Sequence, residues 1–344
     1  MKKNFHTSYL SITFVVLVFS GLGMLAACTM GYINIPVMDI IHIIANTITG
    51  AELPESIAKS SPYVIIDVRL PRVLSAFLVG AGLAISGVLY QGILLNPLAD
   101  PYTLGVSSGA AFGAAIALFA NMALLPLSLP LCAFVGAVIT LVVVIRLSSF
   151  NGQISSSTLI LSGVIVGAIL SAGISFIKYL ADEQVSAIIF WLMGSFVART
   201  WTDVTALILT LIPTMLIALF YARDLNIIAT GNRSSASLGV DTGRVRLILL
   251  ITASLMTAVC VSSTGIIGFI GLIVPHLMRL IVGPDNRKLV PVSLLAGGIL
   301  LLFADTLTRA VLPTEVPIGI LTALIGGPVF CFIFRHKQKG LSYE

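Results

Sequence analysis

The chain contains few charged residues, and this scarcity decides its class. Only 10% of its 344 residues are Asp, Glu, Lys or Arg, whereas 58% are hydrophobic and the mean hydropathy is +1.08. Soluble domains contain about 25% charged residues. The composition therefore excludes an ordinary soluble protein and predicts an all-α polytopic membrane protein, with residues 1–344 forming a single transmembrane domain.

The sequence also lacks the motifs of common enzymes and of ATP-binding proteins. It contains no Gly-Lys-Ser/Thr of a P-loop, no HExxH and no paired carboxylates. Its four cysteines, Cys28, Cys132, Cys260 and Cys331, stand in separate apolar runs without metal-ligand or redox spacing. We therefore expect no catalytic residue, no metal and no cofactor on this chain. The net charge of +5 is dispersed at the ends of apolar runs, so it does not indicate nucleic-acid binding.

The apolar runs divide the chain into ten predicted spans, because a helix needs about 20 residues to cross the hydrocarbon core. The first begins near Leu10, and the others cover residues 73–92, 103–120, 128–148, 157–180, 203–222, 246–264, 267–282, 290–308 and 316–334. Two further apolar segments, 35–44 and 187–197, are too short to cross and predict helices at a membrane surface.

The basic residues predict the orientation of these spans. With the N-terminus inside, thirteen Lys and Arg residues fall on the cytoplasmic side and six on the outer side. This bias obeys the positive-inside rule, so both termini are expected in the cytoplasm.

The first span has an alternative interpretation. Lys2 and Lys3, an apolar run and Leu25-Ala26-Ala27-Cys28 together have the form of a lipoprotein signal peptide, which would make Cys28 a lipidated N-terminus. Because the run is long enough to span and many spans follow, we favour an uncleaved first helix.

Small residues recur at helical spacing in several spans. Gly105, Gly109 and Gly113 are four residues apart, as are Gly163 and Gly167. Stripes of this kind allow close approach of helix backbones in lipid, so they predict helix packing, although a helix lined with Gly and Ser can also border a polar pathway.

Ionisable residues fall almost entirely at the ends of the predicted spans. Ion-coupled carriers need such groups near mid-membrane, so an ion-coupled secondary transporter of a small solute is the alternative that this pattern disfavours. Asp305 and Arg309 are four residues apart on one helix face and predict a local ion pair near the outer surface.

The longest polar segment on the cytoplasmic side covers residues 223–246. Its centre, 232–238, is compatible with a short helix, and Gly239 is a suitable C-terminal stop. Since the chain has no energy source of its own, we favour a docking site for a cytoplasmic partner over a solvated linker.

Several motifs accumulate in order along the chain. They are RLPR at 69–72, a Ser-Gly pair followed by Gln91, NPLADP and LGVSSGA between 96 and 110, GFIGLIVPHLMRL at 268–280, Ala-Asp with Arg309, and EVPIGILTALIGGPVF at 315–330. Together they resemble the FecCD-type permeases, the membrane subunits of type II ABC importers for ferric siderophores, haem and cobalamin.

The resemblance implies a ten-helix type II importer fold in a bacterial or archaeal cytoplasmic membrane. It implies a dimer, expected to be a homodimer, bound to two ATP-binding subunits that hold ATP and magnesium. A periplasmic or surface-tethered binding protein would deliver the chelate, and no enzymatic step would occur on this chain.

The resemblance also implies roles for particular residues. The binding protein would dock on Arg69, Arg72 and Arg309. The cytoplasmic gate would consist of Asn96, Leu98, Ser156 and Ser157. The ATPase-coupling helices would lie in the 223–246 loop and include Asn232, Arg233, Ser234, Ser235, Ala236, Ser237, Leu238 and Gly239.

Two departures from the family pattern stand out. Family members commonly have acidic residues where this chain has Asn232 and Arg233, which affects the details of the ATPase contact. They often have Asp-His-Arg where this chain has Asp285-Asn286-Arg287, a difference that the sequence does not explain.

Overall fold

The computed structural model describes residues 2–31, 33, 35–50, 52–122, 128–150, 153–310 and 315–341. Helices account for nearly all the regular structure in these ranges, which confirms the all-α class. The exception is a hairpin of two short antiparallel strands, β1 (Ser149–Phe150) and β2 (Gln153–Ile154).

The described ranges contain fifteen α-helices. They are α1 (Lys2–Thr29), α2 (Val37–Thr49), α3 (Ser61–Tyr63), α4 (Leu70–Leu94), α5 (Val106–Phe119), α6 (Ser128–Ser148), α7 (Ser156–Leu180), α8 (Val185–Leu192), α9 (Trp201–Phe220), α10 (Ala222–Ile228), α11 (Asn232–Ser237), α12 (Thr242–Thr264), α13 (Ile270–Val282), α14 (Asn286–Ala310) and α15 (Ile318–Leu341). A π-helical turn, Val64–Arg69, joins α3 to α4.

Each predicted span coincides with one helix, in the order α1, α4, α5, α6, α7, α9, α12, α13, α14 and α15. Six helical stretches are long and apolar enough to cross a membrane by themselves: Ser61–Leu94, α6, α7, α9, α12 and α14. The predicted spans 103–120 and 267–282 began too early, because α5 and α13 have only 14 and 13 residues, about 20 Å each.

The two short apolar segments form helices that are not full spans. Segment 35–44 corresponds to α2, which has 13 residues, and segment 187–197 overlaps α8, which has 8.

Helix α4 lies at the centre of the packed chain. In the most apolar part of Ser61–Leu94, the helical stretch that contains α4, 89% of the residues are buried. The corresponding value for α7 is 17%. A methyl group added at Gly80 would overlap the Gly297 carbonyl of α14, and one at Gly87 would overlap the Gly271 carbonyl of α13. The helix backbones are therefore in contact at these positions, so these glycines of α4 serve helix packing.

The glycine stripe of α5 also allows close packing of helix backbones. Gly109 faces Gly136 of α6 so closely that a side chain on either residue would meet the carbonyl of the other. Gly163 of α7 lies equally close to the backbone of Thr103 and Leu104. The predicted close approach of these helices is confirmed.

Two non-helical segments explain the short helices. Residues 95–105 precede α5 and residues 265–269 precede α13, and they meet where the Tyr102 hydroxyl donates to the Ile267 carbonyl at 2.7 Å. The Ile267 amide donates back to the same hydroxyl at 3.2 Å. Irregular backbone at membrane depth is tolerated where protein groups satisfy it, and this reciprocal pair supplies such groups.

Helix α4 joins two faces of the molecule that carry the predicted site residues. The arginine face contains Arg69, Arg72 and Arg309, and the Asn96 face contains Asn96, Ser156, α10 and α11. The 25 residues of α4 separate the two by about 37 Å.

Candidate functional site

Two of the three arginines of the arginine face, Arg72 and Arg309, share one carboxylate. Arg72, in the first turn of α4, approaches Asp305 of α14 at 2.9 Å. Arg309 reaches the other oxygen of Asp305 at 3.5 Å, so the predicted ion pair of Asp305 and Arg309 is confirmed. Asp305 is 1% exposed, and removing a buried charge from water is tolerated only when the charge is well paired.

Arg69 and Arg309 also hold the C-terminal end of α1. The last carbonyls of a helix lack helical partners and carry negative partial charge, which a cation complements. Arg69 donates to Cys28 O at 2.7 Å, to Thr29 O at 3.2 Å and to Ile33 O, and Arg309 donates to Ala27 O at 2.5 Å and to Met30 O at 3.0 Å. These bonds connect α1 to the N-terminal end of α4 and the C-terminal end of α14.

The three arginines therefore have different partners. Arg69 is 5% exposed, and the Arg309 side chain is also 5% exposed, so both point into the protein. Arg72 is 13% exposed and donates from Nη1 to both oxygens of Glu315 at 3.1 Å. Docking was predicted at all three arginines, and among them Arg72 has the most exposed side chain.

A cavity of about 200 Å³ opens beside Arg72. Its polar lining includes Arg72, Asp305, Thr308 and Glu315, and its apolar lining includes Phe190, Phe196, Val197 and Pro317. A guanidinium and two carboxylates thus lie in a partly apolar recess.

The two predicted gate segments are neighbours on the Asn96 face. The Asn96 side chain accepts from Leu98 N at 2.9 Å and closes the turn after α4, while Leu98 is 44% exposed. Ser156 begins α7 and lies 3.5 Å from the Ile93 carbonyl of α4. Ser157 is 3.2 Å from Ser155, the N-cap of α7. The structure therefore brings these two segments together.

The predicted coupling segment consists of two short helices. Ser235 of α11 is fully buried and donates to Gly231 O at 2.8 Å and to Ile227 O at 3.1 Å, which ties α11 to α10. Gly239 has φ of 78°, the left-handed conformation expected at a helix stop. Leu238 is 65% exposed, and the side chains of Asn232 and Arg233 lie outside the described part of the chain.

A polar network that the sequence did not predict anchors α10. Asn226 donates to Asp285 at 2.7 Å and accepts from the Asn286 amide and side chain at 2.9 and 2.8 Å. Arg287 pairs with the same Asp285 at 3.1 Å. The unexplained Asp285-Asn286-Arg287 segment thus connects the coupling helices to α14, and only its departure from the family pattern marked it in the sequence.

Partial burial raises the pKa of Asp285, but hydrogen bonds from Arg287 and Asn226 and the charge of Arg287 outweigh it. The pKa of Asp285 is therefore below the ordinary value of an aspartate. This carboxylate is poised to remain ionised where it holds α10 against α14.

Comparison with known proteins identifies the family of the chain. The model of the FecCD transport family matches residues 16–336. The cobalamin import permease BtuC of Halobacterium salinarum is 42% identical over 289 residues, which cover 84% of this chain and 78% of the relative. The hemin transport permease HmuU of Yersinia pestis is 37% identical over 283 residues, 80% of this chain and 84% of the relative.

A solved structure is similar over almost the whole chain. It is described as an inward-facing conformation of a metal-chelate type ABC transporter, is 32% identical and has a TM-score of 0.82. The alignment covers 95% of this chain and 99% of the other. The chain therefore belongs to the FecCD transport family and is a permease subunit of an ABC transporter.

Proposed function

We propose that this permease imports a bulky metal chelate of the ferric siderophore, haem or cobalamin class. The relatives named for cobalamin and hemin transport support this substrate class. The pathway would run between two copies of the chain, which would form a homodimer with both termini in the cytoplasm.

The energy for transport would come from partner chains. Two ATP-binding subunits would dock on the Asn96 face, and a binding protein, periplasmic or surface-tethered, would deliver the chelate to the arginine face. Helix α4 is the observation that carries this proposal, because one buried helix links both proposed docking faces directly.

The arginine face suits a partner that presents carboxylates. It contains three arginines, Arg69, Arg72 and Arg309, and only two carboxylates, Asp305 and Glu315, pair with them, which leaves an excess of positive charge. The planar fork of arginine matches a carboxylate, and complementary charge directs the encounter of two proteins.

The Asn96 face would provide the gate and the coupling site. Asn96 and Leu98 on one segment and Ser156 and Ser157 on the other would close the inner end of the pathway. The ATPase would contact residues 232–239, whose helix α11 is held from behind by α10 while Leu238 is open to solvent.

Transport by the purified complex tests the proposal. The permease, co-purified with its ATPase and reconstituted in liposomes, should take up haem, a ferric siderophore or cobalamin when ATP and the binding protein are supplied. Removing residues 232–238 should abolish co-purification of the ATPase. Uptake of a small solute under an ion gradient without any ATPase would contradict the proposal and favour a secondary transporter.

A further inference from the structure

Arg72 presents two edges to two different carboxylates. Its Nε and Nη2 atoms donate to Asp305 at distances from 2.9 to 3.2 Å, and its Nη1 atom donates to Glu315. Arginine can bind two carboxylates in this way because its donors lie in one plane and point in different directions.

The two carboxylates differ in how firmly they are held. Asp305 is 1% exposed and is shared by Arg72 and Arg309. Glu315 is 47% exposed, and its ion pair in the described ranges is with Arg72. A buried pair is costly to break, whereas an exposed pair contributes little free energy. Arg72 therefore has one permanent partner and one that can be exchanged at small cost.

The cavity beside Arg72 gives a second carboxylate access to the exchangeable position. Glu315 lies on the lining of this recess, with Phe190, Phe196 and Val197 on other parts of it. Apolar surroundings that exclude water strengthen an ion pair formed inside them.

We propose that Glu315 is a resident stand-in for a carboxylate of the docking partner, and that an acidic side chain of the binding protein displaces it from Arg72. The proposal rests on the docking role of the arginine face given above. Arg72, Arg309, Asp305 and Glu315 together carry no net charge, and displacement of Glu315 leaves one positive charge for the partner. The resident carboxylate therefore weakens docking and favours release of the partner.

Glu315→Gln tests the proposal, because it removes the competing charge and keeps the size of the side chain. The complete transporter carrying Glu315→Gln, in nanodiscs, should bind its substrate-binding protein about twofold to fivefold more tightly than the wild type does. The gain should appear mainly as slower dissociation in surface plasmon resonance.

Glu183→Gln is the matched control. Glu183 is exposed in the loop before α8, on the side predicted to face outward, and the substitution makes the same change of charge. It should leave the dissociation constant unchanged. An equal gain from both variants would show general electrostatic attraction and would overturn the proposal.

The Arg72→Gln background gives an independent readout. There the Glu315→Gln substitution should no longer tighten docking, because Glu315 has lost the group for which it competes. If Glu315→Gln does not give a monodisperse complex, Glu315→Asp replaces it, since a shorter side chain should also tighten docking by weakening its bond to Arg72.

The outcomes separate this inference from the proposed function. Failure of the wild type to bind the binding protein at all would contradict the docking role itself. Normal binding by the wild type, with unchanged or weaker binding by Glu315→Gln, would overturn only the displacement of Glu315.

Discussion

The two ends of α4 are held by different kinds of interaction. At the arginine face, Arg72 joins α4 to α14 through Asp305, which is 1% exposed and also paired with Arg309. At the Asn96 face, α4 borders Leu225 of α10 through an apolar contact at Gly92, and α10 is in turn fixed by the amide of Asn226.

This difference predicts that the two ends of α4 respond unequally to substitution. Breaking a buried ion pair leaves an uncompensated charge in the protein, whereas losing one ordinary hydrogen bond costs about 1 kcal/mol. The arginine face should therefore keep its arrangement while the Asn96 face adjusts. Substitutions at each end, and between them, can break or sharpen the comparison.

Asp305→Ala should have the largest effect. It leaves Arg72 and Arg309 without their buried carboxylate and should lower the free energy of unfolding by about 3–5 kcal/mol. Unfolding in detergent, followed by circular dichroism, measures this loss. Asp182→Ala removes an exposed carboxylate near α8 and should change little. Equal stability of the two variants would mean that the buried ion pairs of Asp305 do not stabilise the arginine face.

Gly87→Ala tests the middle of α4, which connects the two ends. The added methyl group would overlap the Gly271 carbonyl, so α13 must move, at a cost of about 1–3 kcal/mol. Gly268→Ala is the control, because a methyl group there meets no atom within 4 Å. The difference in melting temperature between the two variants gives the answer. A stable Gly87→Ala variant would show that α4 and α13 are loosely packed.

Asn226→Ala should have a smaller effect, confined to the Asn96 face. It removes three part-buried bonds from α10 to Asp285 and Asn286 and should cost about 1–2 kcal/mol, because the freed groups can bind water. Hydrogen exchange should become faster in α10 and α11 and stay unchanged at the N-terminal end of α4. Ser237→Ala, at an exposed position of α11, should not alter exchange in α10. Faster exchange at the arginine face as well would mean that the two ends are rigidly coupled.

Asp285→Asn should have the smallest effect on the free energy of unfolding, and this effect should depend on pH. The pKa of Asp285 in the folded protein is below its ordinary value, so its contribution to stability is complete above the unfolded pKa of about 3.9. That contribution is lost as the pH falls through the lower, folded value. The difference in stability between the wild type and Asp285→Asn should therefore be constant from pH 6 down to about pH 4 and should shrink as the pH falls further, through the folded pKa. A difference that stays the same throughout acid unfolding would show that the charge of Asp285 is irrelevant.

Hydropathy and spacing were sufficient to predict much of the fold. The apolar runs predicted the helices, and the spacing of Asp305 and Arg309 predicted their ion pair. Both predictions succeeded because they depend on residues that are close together in the sequence. Gly109 and Gly163 indicated close packing, although the sequence did not show which helices they would contact.

The partners of the arginines could not be predicted in the same way. Arg69 binds carbonyls about forty residues earlier in the chain, and Arg309 binds carbonyls about 280 residues earlier. Backbone carbonyls are present at every residue, so no side-chain pattern marks them as ligands. Glu315 was likewise recognised only as part of the motif at 315–330, since its pairing with Arg72 depends on the fold.

The bonds that close the end of α1 have a consequence for the order in which the protein is made. Synthesis delivers α1 to the membrane long before Arg309 exists, because that residue directly follows the ninth of the ten predicted spans, in the last turn of α14. The carbonyls of Ala27 and Met30 therefore cannot form their bonds to Arg309 until translation is nearly complete. The end of α1 can therefore bind Arg69 early in synthesis, but its bonds to Arg309 are among the last to form.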